Sequence, residues 1–284
     1  MKARTALLVT AIAALGTSCQ KAAEPSHGPL WFSIDKDGTT SYLLGTIHRG
    51  VDPDEWLPKA VWAKLDDAKS FAMETDLSDP AVRAMTLRDR GTLHDDLGDA
   101  YWAKLETALG PDVAHRIDHT TPIVAVSSLS LLNLPDTPEM DSVLFDRAER
   151  EHKSIVYLEP ASSEVKVLVK WMTVRTVKEM LDDLADAKKL SDDMLAAYRR
   201  GDGDAMLSIA DRERLEAAKH GHTEAEYREQ MKDLLYDRNA SWIAPIEKMH
   251  ASGGGFIAVG ALHLLGSGSL VELLRAKGYT VTRL

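Results

Sequence analysis

Two short apolar runs, each closed by Gly-x-x-His and lying near opposite ends of the chain, constrain this sequence more than any other feature. The first reads Tyr42-Leu43-Leu44-Gly45-Thr46-Ile47-His48 and the second Ile257-Ala258-Val259-Gly260-Ala261-Leu262-His263. Apolar runs of this length read as buried strands. A glycine at the strand end lets the backbone turn sharply or approach another group. The histidine that follows then projects from the strand's carboxyl end, the edge at which open α/β sheets bind ligands. Two such histidines, far apart in the sequence, can meet there if their strands are neighbours. A third run, Ser70 to Met73, delivers Glu74 in the same way. Each signal alone is weak. Either histidine could be a hydrogen-bonded turn residue, and Glu74 could serve the helix opened by Asp79-Pro80. The repetition in one context gives them weight.

His48, Glu74 and His263 together form a sound metal set. Imidazole and carboxylate suit Zn²⁺, Mn²⁺ or Fe²⁺, and three protein ligands leave a position for water. A metal lowers the pKa of that water toward neutrality. Glu159 ends the run Ser154 to Leu158 and precedes Pro160, so it reads as a supporting carboxylate, a further ligand or an acid at a helix N-terminus; Asp141 opens a helix and is either a supporting carboxylate or a complement to that helix's dipole. Arg238 precedes a helix leading into the second motif, where it would stabilise an oxyanion or form a structural ion pair. His115 and His119 are spaced to share a helical face but lack an HExxH context, and His220-Gly221-His222 reads as a loop. No G-x-S-x-G or GxxxxGK[ST] motif occurs, and Gly266-Ser267-Gly268 has no dinucleotide-binding setting.

Around these motifs, short strands alternate with helices. Trp31 to Ile34 and Ser41 to Gly45 flank a turn at Asp35-Lys36-Asp37-Gly38 and predict a hairpin. One helix is expected over Asp54 to Asp67 and a buried one over Pro122 to Leu132. From Glu159 to about Asp237 the chain is mostly helical, with breaks at residues 201–203 and 220–222. The expected fold is α/β (mixed α+β), with short strands ending in G-x-x-H motifs and a large central helical insert.

The first 18 residues, MKARTALLVTAIAALGTS, have the cationic start, apolar run and small-residue end of a secretory signal. The apolar run is too short for a comfortable permanent span. Cys19 follows, the chain's one cysteine, so no intramolecular disulfide is available. Its position suggests acylation as a bacterial lipoprotein, although Gly16 stands where an aliphatic residue is usual; a plain signal cut near Cys19 is the alternative. Residues 20–29 then form a tether and residues 30–284 the folded domain. Without the signal the net charge moves from −10 to −12. That acidity excludes a nucleic-acid scaffold, which needs basic surface to replace phosphate counterions. It also excludes electrostatic adhesion to anionic lipid, leaving an N-terminal lipid anchor as the one route to a membrane.

LLGTIH, the strand ending in METD, the DRNASW segment and AVGALHLLGSGSLVELLRAKGYTV resemble the TraB/GumN family, over most of residues 31–284. That family groups with the Tiki proteins and with erythromycin-esterase-like and ChaN-like proteins. The resemblance implies an α/β fold in which the paired G-x-x-H motifs and a glutamate form one site. It carries His48, His263 and Glu74 into that site, with Arg238 and Asn239 from the RN pair. Tiki proteins are membrane-tethered metalloproteases using ions such as Mn²⁺ or Co²⁺; esterase relatives open a lactone and a ChaN-like relative binds haem.

The resulting expectation is an exported metal-dependent hydrolase on the periplasmic face of the envelope, held as an outer-membrane lipoprotein. Its substrate would be a peptide or a small ester, its metal Mn, Co or Zn, and its catalytic groups Glu74, Arg238 and Asn239. One rival is a non-catalytic haem, iron or ligand-binding protein using the same histidines. Another is an envelope interaction protein that docks partners on the helical block.

Overall fold

The computed structural model describes residues 28–284 apart from residue 77. The signal segment 1–18, Cys19 and tether residues 20–27 lie outside the described residues. Six strands form one mixed sheet: β1 (Trp31–Lys36), β2 (Thr39–Thr46), β3 (Ser70–Met73), β4 (Ser154–Tyr157), β5 (Phe256–Gly260) and β6 (Thr280–Arg283). Their spatial order is β4-β3-β5-β2-β1-β6. β1 and β2 are the expected hairpin, with Lys36 opposite Thr39 across a two-residue turn. Both turn residues, Asp37 and Gly38, have positive φ, the conformation that matches strand twist in such a turn.

β5, from the end of the chain, inserts between β2 and β3 and runs parallel to both; β4 is parallel to β3. The two G-x-x-H strands are therefore immediate neighbours, and the carboxyl ends of β2, β5, β3 and β4 share one edge. Alternating side chains serve two different cores, as a period of two demands. Leu44, Phe71 and Phe256 face a cluster with Met140, Leu144 and Tyr198. Leu43, Ala72, Ile257 and Val259 face the opposite cluster, with Trp242, Ile246 and Leu274. The helices Met140–Arg150 and Leu184–Arg200 thus cover one side of the sheet, and Asp237–Ala251 and Leu270–Ala276 the other. This is an α/β architecture.

The helices between β3 and β4, together with part of the later helical run, build a third core of their own. Leu93, Trp102, Leu105, Ala114 and Leu129 pack there with Val177 and Leu181. Two sequence expectations shift in detail. The helix expected over Asp54 to Asp67 is two, Pro53–Trp56 and Lys59–Asp67. Pro58 divides them, because it donates no N–H and disfavours helical backbone at Leu57, whose ψ is 132°. The helix Pro122–Leu131 is buried along only part of its surface, since Leu131 and Leu132 are exposed. His119 lies beyond the helix Pro111–Ile117 that carries His115, so the two share no helical face. Among the described residues no helix is long and apolar enough to cross a membrane.

Gly45 shows how the edge is assembled. A Cβ there would lie 3.0 Å from the Ala261 backbone and 3.1 Å from the Leu264 side chain. Its carbonyl accepts a 2.8 Å hydrogen bond from the buried Tyr198 hydroxyl. The first motif's glycine is thus the seat on which the turn after β5 rests. Gly45→Ala lowers the unfolded chain's entropy, a gain of about 0.4–1 kcal/mol, but overpacks this contact at a cost of about 1–3 kcal/mol. Net destabilisation is expected in urea unfolding; an unchanged or raised midpoint would show that the contact yields freely.

Candidate active site at the strand edge

The carboxyl ends of four adjacent strands present their chemistry together. His48 follows β2, His263 lies on the single turn Ala261–Leu264 that follows β5, Glu74 follows β3 and Glu159 follows β4. The β3–β4 pairing continues past the strand ends, where the Glu159 N–H donates to the Glu74 carbonyl at 2.9 Å. Glu74 and Glu159 therefore sit side by side because their strands do.

Each histidine has one ring nitrogen tied to a neighbouring side chain. The helix Met140–Arg150 begins against the first motif, where the Met140 N–H donates to the His48 carbonyl at 3.2 Å. That places Asp141 so that one carboxylate oxygen meets His48 Nδ1 at 2.9 Å and the other accepts from the Thr46 hydroxyl at 2.6 Å. His263 Nδ1 lies 2.6 Å from Asn239 Oδ1. The Asn239 amide nitrogen donates to the Gly268 carbonyl at 2.9 Å, which fixes its orientation. Asn239 Oδ1 must therefore accept, so His263 carries its proton on Nδ1 and a lone pair on Nε2. That lone pair lies 3.9 Å from Glu74 Oε1.

Arg238 occupies the centre of the acids. Its Nε donates to Glu159 at 2.7 Å, and Nη2 donates to Glu74 at 2.7 Å and to Glu164 at 3.0 Å. The other oxygen of Glu74 accepts from the Gly260 N–H at 2.7 Å. Arg238 and Asn239 lie in the first turn of the helix Asp237–Ala251, directly after the π-helical turn Lys232–Tyr236. Trp242, one turn later, is fully buried beneath both; its ring centroid is 4.4 Å from that of His263, and Arg238 sits 4.9 Å over it.

Every sequence-predicted site residue within the described part thus meets at one edge: His48, Glu74, Asp141, Glu159, Arg238, Asn239 and His263. Glu164 and Thr46 are site residues that the sequence reading did not single out. Glu164 lies in the first turn of the helix Ala161–Trp171, where an acid reads as an ordinary complement to the helix dipole. The other histidines that the sequence singles out lie elsewhere. His115 is tilted against Trp102 in the third core, and His220 and His222 pair with Asp183 and Glu179.

The donor chemistry fits a divalent cation. Both histidines leave Nε2 without a side-chain hydrogen bond, that of His48 binding a cation only after its imidazolium gives up a proton, and Glu164 has a buried oxygen with no hydrogen-bond partner among the described residues. Glu74, Glu159 and Glu164 also bring more negative charge than Arg238 alone offsets. In this arrangement, however, no three His, Cys, Asp or Glu side chains among the described residues are grouped to hold a metal. The His48 side chain, 76% exposed, is the member with most freedom to swing inward.

The electrostatics divide the histidines. The hydrogen bond to Asp141 raises the His48 imidazole to about 9. Burial opposes ionisation of Asp141, but its bonds to His48 and Thr46 hold it below the usual carboxylate value. Burial pushes His263 down to about 4, so it stays neutral. Burial, reinforced by Glu74 and Glu159 against the pull of Arg238, raises Glu164 to about 7. His263 therefore stabilises the fold above its unfolded pKa of about 6.5, and that stability is lost as pH falls through about 4. The expected loss is about 3 kcal/mol, read as the wild-type minus His263→Gln difference in urea unfolding of metal-free protein between pH 7 and pH 4. The His48 pair works in the opposite sense, contributing most below pH 6.5 and fading as pH rises through about 9. A pH-independent His263→Gln difference would contradict its buried neutral state.

Comparison with known proteins places these features in a family. The TraB/PrgY/gumN family profile matches residues 30–283. Two relatives are each described as uncharacterized protein YbaP. The one from Shigella flexneri is 24% identical over 262 residues, covering 83% of this chain and 88% of the relative. The one from Escherichia coli K12 is 24% identical over 261 residues, covering 82% and 87%. No solved structure matches the chain. With the profile running from the start of β1 to the end of β6, the chain belongs to the TraB/PrgY/gumN family.

Proposed function

We propose that this protein is a metal-dependent hydrolase, a Tiki-like metallopeptidase of the cell envelope acting on peptide or small ester bonds. The observation that carries the reading is the matched tethering of the two histidines. Each sits at the carboxyl end of one of two neighbouring parallel strands, with Nδ1 held by a side chain and Nε2 left to bind. Such outer partners are what orient ligating histidines and fix their tautomer.

His48, Glu74 and His263 would hold the ion, which supplies Lewis-acid polarisation of the scissile carbonyl. The remaining residues prepare the edge. Asn239 keeps the His263 proton on Nδ1, and Asp141 holds His48 against the start of its helix. Arg238 holds Glu74, Glu159 and Glu164 in register, so that Glu74 faces His263 as ligand or as proton acceptor for water. Arg238 spends donors on three carboxylates and also donates to the Leu234 carbonyl, so positioning Glu74 precedes any contact it makes with an oxyanion. Trp242, fully buried, packs against His263 and Arg238. Export by residues 1–18 and acylation at Cys19, giving an outer-membrane lipoprotein, belong to the same proposal.

Mn²⁺, Co²⁺ and Zn²⁺ titrated into chelator-free protein should raise its melting temperature by mass action, about 2.7 kcal/mol of stabilisation at one hundred times Kd. His48→Ala and His263→Ala should remove that shift and abolish hydrolysis in a peptide and ester screen while the protein stays folded. Asn239→Leu should weaken metal binding about 10–100-fold by releasing His263. Metal-independent hydrolysis that survives both histidine changes would overturn the assignment. A Soret band on haem addition, lost in the same variants and unaccompanied by turnover, would replace it with the binding-protein alternative.

A further inference from the structure

A cleft of about 910 Å³ opens beside the strand edge, at the upper end of the ~300–1,000 Å³ typical of ligand sites. Ile47 and Leu262, the residues immediately before His48 and His263, are part of its wall. The cleft therefore reaches the two residues that precede the histidines of the candidate active site. From there the helical block extends the lining with Met180, Leu190, Met194, Leu207 and Leu234. Flexible methionines let such a wall adapt to different side chains. Leu207 and Tyr236 are 37% and 44% exposed, so the apolar lining runs out to solvent. Tyr236 lies so close to Gly268, on the loop after His263, that a Cβ there would approach its ring to 2.9 Å. One loop thus connects the histidine to the cleft wall.

The charge of the lining is one-sided. Seven carboxylates line the cleft among the described residues, against one arginine, Arg214. Arg214 is already committed to Asp211 and Glu224. Arg175, Lys219 and Arg228, outside the lining, pair with Glu179, Glu216 and Glu224. Asp183 is met by His220, which also lines the cleft, whereas Asp186 and Glu226 form no ion pair with lysine, arginine or histidine among the described residues. The cleft therefore combines an apolar wall with a surplus of acid.

We propose that the cleft receives a cationic amphipathic peptide. Its apolar side chains pack on Met180, Leu190, Met194 and Leu207, and its lysines or arginines face Asp186 and Glu226. A compact amine would use the acids but leave the wall wet. An anionic acyl chain would use the wall but meet repulsion. A neutral apolar peptide would gain nothing from the surplus charge. Cleavage of the bound peptide at the strand edge rests on the hydrolase reading; its capture does not.

The test separates the two. The His48→Ala/His263→Ala protein is titrated calorimetrically with a short Leu/Lys amphipathic peptide, a Leu/Glu peptide of the same pattern and a Ser/Lys peptide. The Leu/Lys peptide should bind at least about 10-fold more tightly than either control and lose affinity as salt rises. Asp186→Lys and Leu207→Ser, both at exposed positions of the lining, should each weaken it several-fold without changing the melting temperature. Equal binding of the Leu/Glu or Ser/Lys peptide, no binding, or indifference to both cleft substitutions would overturn the proposal. Cleft-dependent binding without cleavage by wild type would uphold it and overturn the hydrolase reading instead.

Discussion

The guanidinium of Arg238 is the interaction on which the site edge depends. Three glutamates from three elements converge on it: Glu74 from the end of β3, Glu159 from the end of β4 and Glu164 from the next helix. All four side chains are largely buried, at 8–16% exposure. Taking such charges out of water is costly unless each is paired, and deleting one partner of a buried pair commonly costs about 3–5 kcal/mol. Here one deletion would strand three carboxylates. The strands would then lose the pin that aligns their ends, because β3–β4 pairing beyond Met73 and Tyr157 brings two like charges side by side. Arg238 makes that juxtaposition tolerable.

The same residue links the two sides of the sheet. Arg238 and Asn239 stand on a helix that packs through Trp242 and Ile246 against β5 and its neighbours. Asp141 and Tyr198 reach the edge from helices on the opposite side. His263 is therefore fixed from one layer and His48 from the other, with Gly45 and Ala261 in contact between them. Movement of either layer would alter the spacing of the two imidazoles. The conformation described, with His48 largely exposed and His263 buried, is one setting of that spacing.

Much of this was legible in the sequence because it depends on strand-end chemistry. Gly45, His48, Gly260 and His263 fall at the carboxyl ends of runs whose apolar character is unambiguous, and Glu74 and Glu159 end shorter runs of the same kind. Adjacency of β2 and β5 could be expected only from the doubled motif, since more than 200 residues separate the strands. Arg238 was raised by its place ahead of the helix leading into the second motif, with an ion pair as the alternative role, whereas Asn239 entered through family resemblance, because nothing local marks a helix residue as facing a distant strand. Glu164 escaped because a first-turn acid has an ordinary explanation. The helix expected over Asp54 to Asp67 broke where the apolar spacing ran through Pro58, which local backbone chemistry overrides. His220 and His222 read as a loop, and their ion pairs emerge only once Asp183 and Glu179 come across from another helix.

Charge balance ties the site to the cleft. At the edge, three carboxylates face one guanidinium, while the His48–Asp141 pair is balanced within itself and His263 is neutral. With Glu164 raised to about 7 the surplus falls short of two full charges near neutrality, and a bound cation would draw off that proton; Glu164 is also the member with an oxygen left unpaired. In the cleft the surplus is spread over an exposed lining that water partly screens, so it attracts mobile or ligand-borne cations without demanding a resident one. Burial thus separates two uses of acidity in neighbouring parts of the molecule. The buried acids can favour a tightly held ion because leaving them uncompensated is costly, whereas the exposed acids can favour a substrate that arrives and leaves.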